Sequence, residues 1–410
     1  MDRILTTHVG SLIRPADLVP FVRAVEHGEP YDESAFAAVL RAAVADVVRR
    51  QAEVGIDIVD DGEMGKVSWI TYLYDRVSGI EARIVPLGGK NILPPTLDRE
   101  AFGEYYEGHD IAQAREVVDE TSDAEHAEGA AGGTESGGVG KLWVCTGPIR
   151  YDGTALEIDI ANLKAGLEGV DVVDAFLPVV APASVYWLEN EYYDSDEEFV
   201  FAVADALHEE YARIVDAGFI LQVDDAVLWH KYGTMRLLGQ TATDYRNWAE
   251  PRIEALNRAL AGIPPERVRY HVCCGSWHGA HTHDPLLADV IDLVLKVNAH
   301  GYLIEQGNAR HEHEWEMWET VDLPDEKILI PGVVTHHTQM VEHPELVAQR
   351  LVRLANLVGR ERVIAGTDCG FAQGAFTRRV PVWTQWAKLQ ALAEGARIAS
   401  RQLWGTKAAA

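Results

Sequence analysis

Apolar positions along the chain fall into two alternating grammars. The stretch "DESAFAAVLRAAVADVVRRQAEVG" places Phe36, Val39, Leu40, Ala43, Val44, Val47 and Val48 three and four apart, and Gly55 closes it. That spacing predicts an amphipathic helix. The next residues, "IDIVDDGE", are a β-branched run ending in acids. The same sequence of events recurs. Helices are predicted over about 197–216, 243–261, 286–297 and 344–358. Between and around them lie "TTHVGS", "AFLPVVAPASV", "ILQVDDA", "RYHVCCG", "GYLIEQ", "ILIPGVV" and "VIAGTDC". With "IDIVDDGE" these make eight strands, apolar throughout rather than alternating, as strands buried on both faces are. Eight such units predict an α/β fold of the (β/α)8 TIM-barrel type, in which polar strand ends converge on one mouth.

One stretch breaks the rhythm. Residues 67–172 are too long for a single crossover and are read as an insertion after the second strand. Its acidic, Gly/Ala/Ser-rich part, about 110–140, predicts a mobile surface loop, and "KLWVCTGPIRY" predicts an extra strand, one arm of a hairpin. The whole of 1–410 is otherwise read as one barrel domain.

Charge narrows the partners. The 410 residues carry 36 basic and 64 acidic side chains, a formal charge of −28. That argues against nucleic acid and anionic membrane surfaces and leaves small molecules, with oligomeric state open. "MDRILTTHVG" lacks the apolar stretch of a signal peptide, and no run of 18 apolar residues exists. Four cysteines are too few for a disulfide framework, so a cytoplasmic setting with free thiols is expected.

The strand ends hold the candidate chemistry. In "RYHVCCG", His271 and Cys273 are two apart and face the same side, whereas Cys274 faces the other way and reads as packing. Glu305 ends "GYLIE" and Cys369 ends "VIAGTDC". His271, Cys273, Glu305 and Cys369 form an N/S/O set suited to Zn²⁺. The competing reading makes the cysteines small buried hydrophobes and Glu305 an ion-paired strand end. "HGAHTHD" and "ARHEHEWEMWE" read as surface histidines and a charged helix face rather than a second metal site. Cys145 reads as packing, and Trp229 and Trp277 as caps of the barrel rather than platforms for a flat ligand. "GGTESGGVG" lacks the strand–loop–helix context and the lysine of a phosphate loop.

These motifs resemble the catalytic barrel of cobalamin-independent methionine synthase. "THVGS", "DDGE", "LQVDDA", the H-x-C pair, "PGVVTHHT" and "DCG" occur in that family's order between residues 6 and 370. Only the C-terminal of the family's two barrels is matched, and a single-barrel branch that includes epoxyalkane:coenzyme M transferase is similar as well. The resemblance implies zinc held by His271, Cys273, Glu305 and Cys369. It implies that Val9, Gly10 and Ser11 hold the acceptor's carboxylate, and that Glu63 and Asp224 hold its ammonium. It places His337, with His336 competing, at the proton-handling position, although Thr335 stands where the family has aspartate.

The expected reaction is methyl transfer from a donor of the 5-methyltetrahydrofolate type to the thiol of homocysteine. Metal coordination turns a thiol into a thiolate nucleophile, and the leaving group needs an acid. An epoxide-opening transfer to coenzyme M uses the same half-reaction on sulfur, and Arg14 and Lys66 are the cations that a sulfonate would want. A barrel that binds a small molecule without catalysis is the reading from another class. Asp60, Asp61, Glu63, Asp224 and Asp225 make the mouth acidic, which favours a thiol that carries an ammonium.

Overall fold

The computed structural model describes residues 2–86, 97–104, 139–185, 188–276 and 279–405. The acidic stretch expected as a loop over 110–140 lies almost wholly outside these residues, as does Trp277. Ten strands are described: β1 (Ile58–Val59), β2 (Val77–Pro86), β3 (Val139–Tyr151), β4 (Asp174–Val180), β5 (Glu189–Asn190), β6 (Ile220–Asp225), β7 (Val268–Val272), β8 (Gly301–Ile304), β9 (Ile328–Val334) and β10 (Gly366–Thr367). Seven of them form one sheet in the order β1-β4-β6-β7-β8-β9-β10, parallel at every pairing. Almost every position of these strands is buried, which is why they read as continuous apolar runs.

The sheet is curled. Arg269 of β7 donates to Thr7 Oγ1 (2.8 Å) and to the His8 carbonyl (3.0 Å), and Gln222 of β6 donates to the Val9 carbonyl. Its concave side is filled by Val9, Ile58, Phe176, Leu303, Ile330 and Ile364, a cluster separate from the larger core beneath the helices. The Arg269 guanidinium lies 3.5 Å from the Phe176 ring centre, a cation–π contact. The segment expected as the first strand is not a regular strand. Thr6 makes one parallel bridge to Ala365, Thr7 N–H donates to Ala365 O (2.9 Å), and Ile58 N–H donates to Thr6 O (3.0 Å). Residues 5–7 thus bond to chain at both edges of the sheet.

Between β1 and β4 the chain leaves the large sheet. β2 and β3 pair antiparallel, so the stretch read as an extra strand is indeed one arm of a hairpin, and β5 adds to it in parallel. The helix Thr154–Leu167 then packs on the helix Glu33–Glu53, where a side chain at Gly166 would stand 3.4 Å from the Ala45 Cα.

The predicted helices appear as Glu33–Glu53, Asp196–Asp216, Ala242–Ala259 and Pro344–Val358. Their starts carry side-chain caps. Asp32 accepts from Ala35 N–H, Ser195 from Glu198 N–H, and Thr241 and Asp244 form a capping box. The helix expected over 286–297 is instead a 3₁₀ turn, Leu287–Asp289, and a four-residue helix, Ile291–Val294. Val290, at φ −129°, separates them. Leu287, Val290, Ile291, Leu293, Val294 and Val297 are all buried, so packing rather than helical periodicity places these apolar residues. Among the described residues, five further helices, Val19–His27, Leu97–Ala101, Thr154–Leu167, Leu228–Leu237 and Val382–Trp404, were not anticipated. Among the described residues, no helix is long and apolar enough to cross a membrane.

Candidate metal centre

β6 and β7 end side by side, with Asp224 and His271 as register partners. At this end the His271 imidazole and the Cys273 and Cys369 thiols come together, with one ligand atom of each within 4.8 Å of the others. All three residues are buried, and neither ring nitrogen of His271 has a hydrogen-bond partner of ordinary geometry among the described residues. A buried imidazole without a partner is costly, and a cation between it and two thiols removes that cost. The donor set, one nitrogen and two sulfurs, is of the zinc type.

The electrostatics point the same way. The Cys369 thiol is pushed well below its ordinary range by the hydrogen bond from Cys273 and by the charge of His271. The Cys273 thiol is pushed up by the same shared proton and by burial. Burial pulls His271 down, but contact with Cys369 outweighs it and the net shift is upward. The shared proton is thus favoured on Cys273 over Cys369.

Glu305, the expected fourth ligand, is not in this group. Its Oε2 accepts from Cys274 N–H (2.8 Å), and its Oε1 meets Asn308 Nδ2 (2.7 Å) and His337 Nε2 (3.1 Å). It lies close enough to bear electrostatically on both His271 and Cys273. His337 thus sits on Glu305, its ring 4.0 Å from that of His336. His336 is fully buried.

The remaining expected residues divide. Gly10 adopts φ +130°, and a side chain there would stand 3.0 Å from Pro178 and 3.2 Å from Asp60 Oδ2, so the position requires glycine. The Val9 N–H donates to Thr367 Oγ1 (3.3 Å) and the Gly10 N–H to His8 Nδ1 (3.1 Å), while the Ser11 hydroxyl donates to the Ala372 carbonyl. These three groups already have partners and must exchange them to hold a carboxylate. Glu63 sits at φ +56°, a strained conformation for a residue with a side chain; its Oε1 meets Lys66 (3.3 Å) and its buried Oε2 has no partner among the described residues. Burial raises Asp224 to about 7 and Asp61 to about 6, and raises Asp60 well above the carboxylate range. Asp225 is structural: it accepts from Ser184, Val227 N–H, Leu228 N–H and Tyr270. Arg14 is structural too, spent on Ser11 and on the carbonyls of Leu12, Glu63, Lys66 and Ala372. Trp229 is fully buried and donates to the Pro285 carbonyl (3.0 Å), as a packed residue does. Cys145 is buried in the core.

Several neighbours were missed. Asp368 accepts from Gln306 N–H (3.0 Å) and Gly307 N–H (2.6 Å), tying the end of β8 to the end of β10. Gln373 donates to Cys369 Sγ (3.8 Å) and is held by Arg379 Nε (2.6 Å). The signal for Asp368 was the "DCG" triplet itself. Gln373 and Arg379 lie in a loop without periodicity. Contrary to expectation, the histidines of "HGAHTHD" and "ARHEHEWEMWE" are not all at the surface: His281 and His311 are buried.

Gly332 gives the Asp368 anchor its room. A Cβ there would fall 2.7 Å from the Asp368 Cα and collide with the carboxylate. Gly332→Ala is expected to cost about 1–3 kcal/mol through overpacking, read as a lower urea midpoint. An unchanged midpoint contradicts this packing.

A second concave surface, lined by Arg3, Asp57, Glu394 and Arg397, lies at the strand starts, away from these groups. Conserved chemistry in such sheets belongs to the opposite end.

Comparison with known proteins agrees with the geometry. Residues 184–380 match the family described as "Cobalamin-independent synthase, Catalytic domain". The methionine synthase of Sulfolobus acidocaldarius is 25% identical over 370 residues, which cover 89% of this chain and 85% of that protein. That of Sulfurisphaera tokodaii is 25% identical over 403 residues, or 97% and 93%. The structure of a B12-independent methionine synthase from Shewanella sp. W3-18-1, in complex with selenomethionine, superimposes with a TM-score of 0.69 at 19% identity, covering 98% of this chain and 99% of that one. Residues 184–380, the part of the chain that matches the cobalamin-independent synthase catalytic domain, carry His271, Cys273, Glu305, His337 and Cys369.

Proposed function

We propose that the protein is a zinc-dependent methyltransferase that methylates the thiol of homocysteine, with a donor of the 5-methyltetrahydrofolate type. The observation that carries this reading is the buried trio His271, Cys273 and Cys369, with the shared proton favoured on Cys273 over Cys369. These three would hold the zinc, with Glu305 beside them as the candidate for a fourth place. Bound there, zinc supplies Lewis acidity that lets a substrate thiol lose its proton near neutral pH.

The chain's own residues account for the rest. The substrate ammonium is matched by Glu63, whose buried Oε2 has no partner among the described residues, and by Asp224, the register partner of His271. Binding a cation there offsets the burial that raises Asp224. Val9, Gly10 and Ser11 stand at the start of the same mouth and are assigned to the substrate carboxylate. His337 Nε2, on Glu305, is assigned to carry a proton to the donor nitrogen as the methyl passes to sulfur. His336 is the alternative carrier.

Bonds from residues 5–7 to both edges of the sheet support a closed (β/α)8 barrel. The hairpin of β2 and β3 supports the reading of 67–172 as an insertion into that single domain. Four free cysteines fit a reducing cytoplasm.

A second reading, a thiol that carries a sulfonate, is favoured by one observation. Arg379 is near enough to Cys369 to be felt electrostatically, and its Nε donates to Gln373 Oε1 (2.6 Å). One assay separates the two. Zinc-loaded protein given homocysteine and labelled 5-methyltetrahydrofolate is expected to form methionine, to stop on chelation and to resume when zinc returns. A metal-loaded protein that makes no methionine but alkylates coenzyme M with an epoxide overturns the first reading in favour of the second.

A further inference from the structure

Cys274 follows Cys273 in the chain but takes part in a different cluster. Its thiol, the Asp284 carboxylate and the His311 imidazole offer ligand atoms that all lie within 4.8 Å of one another. Cys274 and His311 are buried, and the Asp284 side chain is 7% exposed. His311 Nε2 and Asp284 Oδ2 are 3.1 Å apart, the spacing of neighbouring donors around a small cation.

Each of the three is oriented from outside the cluster. His311 Nδ1 meets Glu314 Oε1 at 2.7 Å, and Glu314 is itself held by Leu287 N–H. Asp284 Oδ2 meets His281 Nδ1 at 2.7 Å. Cys274 N–H is fixed on Glu305. A carboxylate on the far nitrogen of an imidazole is the usual outer support of a metal-ligating histidine.

A salt bridge of His311 with Asp284 and Glu314 explains the imidazole alone. It leaves the Cys274 sulfur fully buried beside the Asp284 carboxylate and the His311 ring. Among the described residues, no hydrogen bond engages that sulfur. A divalent cation reconciles a thiol, an imidazole and a carboxylate in one buried place.

We propose that Cys274, Asp284 and His311 form a second cation site of the zinc class, on the opposite face of the β7 end from the trio. Sulfur, nitrogen and oxygen donors together select a borderline-soft divalent ion over magnesium or calcium. The site would pin residues 279–286 against the residues after β8. That segment also carries Thr282 and His283, both bonded to Asp98 of the helix Leu97–Ala101 (2.7 and 2.6 Å), so the ion would fix one wall of the mouth.

Cobalt titration tests this. Full-length protein stripped by chelation is titrated with Co²⁺ alone, with thiolate-to-cobalt charge-transfer absorption and bound metal both followed. Cys274→Ser is expected to bind one equivalent fewer than the unsubstituted chain and to lose part of that absorption. The double variant Cys273→Ser/Cys369→Ser is expected to retain one equivalent with its own thiolate band. Equal stoichiometry in Cys274→Ser and the unsubstituted chain overturns the proposal. A failure of the trio to bind metal does not touch the comparison, because it lowers both counts alike. If circular dichroism shows the double variant unfolded, the Cys274→Ser difference decides alone.

Discussion

Cys369→Ala is expected to lose one metal equivalent and to reduce methyl transfer to homocysteine by more than about a hundredfold, while the folded state persists. The magnitude follows from position. Removing an outer partner of a metal ligand already costs about 10–100-fold in affinity or activity, and Cys369 is assigned as a direct donor. It is also the sulfur on which the other two members converge, through the hydrogen bond from Cys273 and the contact with His271. Cys273→Ser keeps nearly the same volume but replaces a soft thiolate by a poorly acidic hydroxyl, and should fall almost as far. Metal content, rate and urea midpoint measured on one preparation separate the causes. A Cys369→Ala protein that keeps its metal and its rate would remove the trio from the reaction.

The largest expected effect on stability lies away from the trio. Arg76 is buried between Asp159 of the helix Thr154–Leu167 (2.6 Å) and Glu210 of the helix Asp196–Asp216 (3.2 Å). Its guanidinium lies 4.8 Å from the centre of the Tyr72 ring, whose hydroxyl donates to Glu210 (3.2 Å), and its carbonyl accepts from Asp152 N–H. This group joins the base of the β2–β3 hairpin to two helices of the main body. Arg76→Met leaves two carboxylates buried without their cation and should cost about 3–5 kcal/mol, measured by urea unfolding. Adding Asp159→Asn and Glu210→Gln removes the stranded charges and should recover part of the loss. A loss below about 1 kcal/mol in the single variant would show that the charges find water instead.

What could be read from the sequence, and what could not, follows from how far each signal reaches. Strands buried on both faces announce themselves as unbroken apolar runs, so seven of the eight expected strands recur. The first was overread: "TTHVGS" has one bridging residue, Thr6, because its polar side chains bond to neighbours instead of extending a ladder. The helix Leu228–Leu237 went unseen because His230, Lys231, Gly233 and Thr234 interrupt any apolar stripe. In the candidate site, the two-residue period of a strand made His271 and Cys273 legible as a pair. Glu305 was rightly placed at a strand end, but its oxygens are turned to Cys274 N–H, Asn308 and His337, and no pattern in the chain forecasts that. Cys274 and Asp284 come from the connection after β7 and His311 from the one after β8, with no common spacing. Only the folded chain puts them together; Cys274 is itself buried in the core, as its reading as packing expects.

The bridge from Thr6 to Ala365 also sets a timetable for the nascent chain. The two residues are 359 positions apart (365 − 6), and one edge of the large sheet reaches its partner through residues 5–7. At about 5–20 residues per second, a ribosome needs roughly 20–70 s to deliver the second after the first. Throughout that interval residues 5–7, which lie beside β1, lack the partner that Ala365 supplies, and unpaired edges recruit other strands. Closing so long a loop also carries a large entropic cost, which only the last segments offset. Slow synthesis or truncation near residue 365 should therefore yield aggregates rather than a smaller folded core.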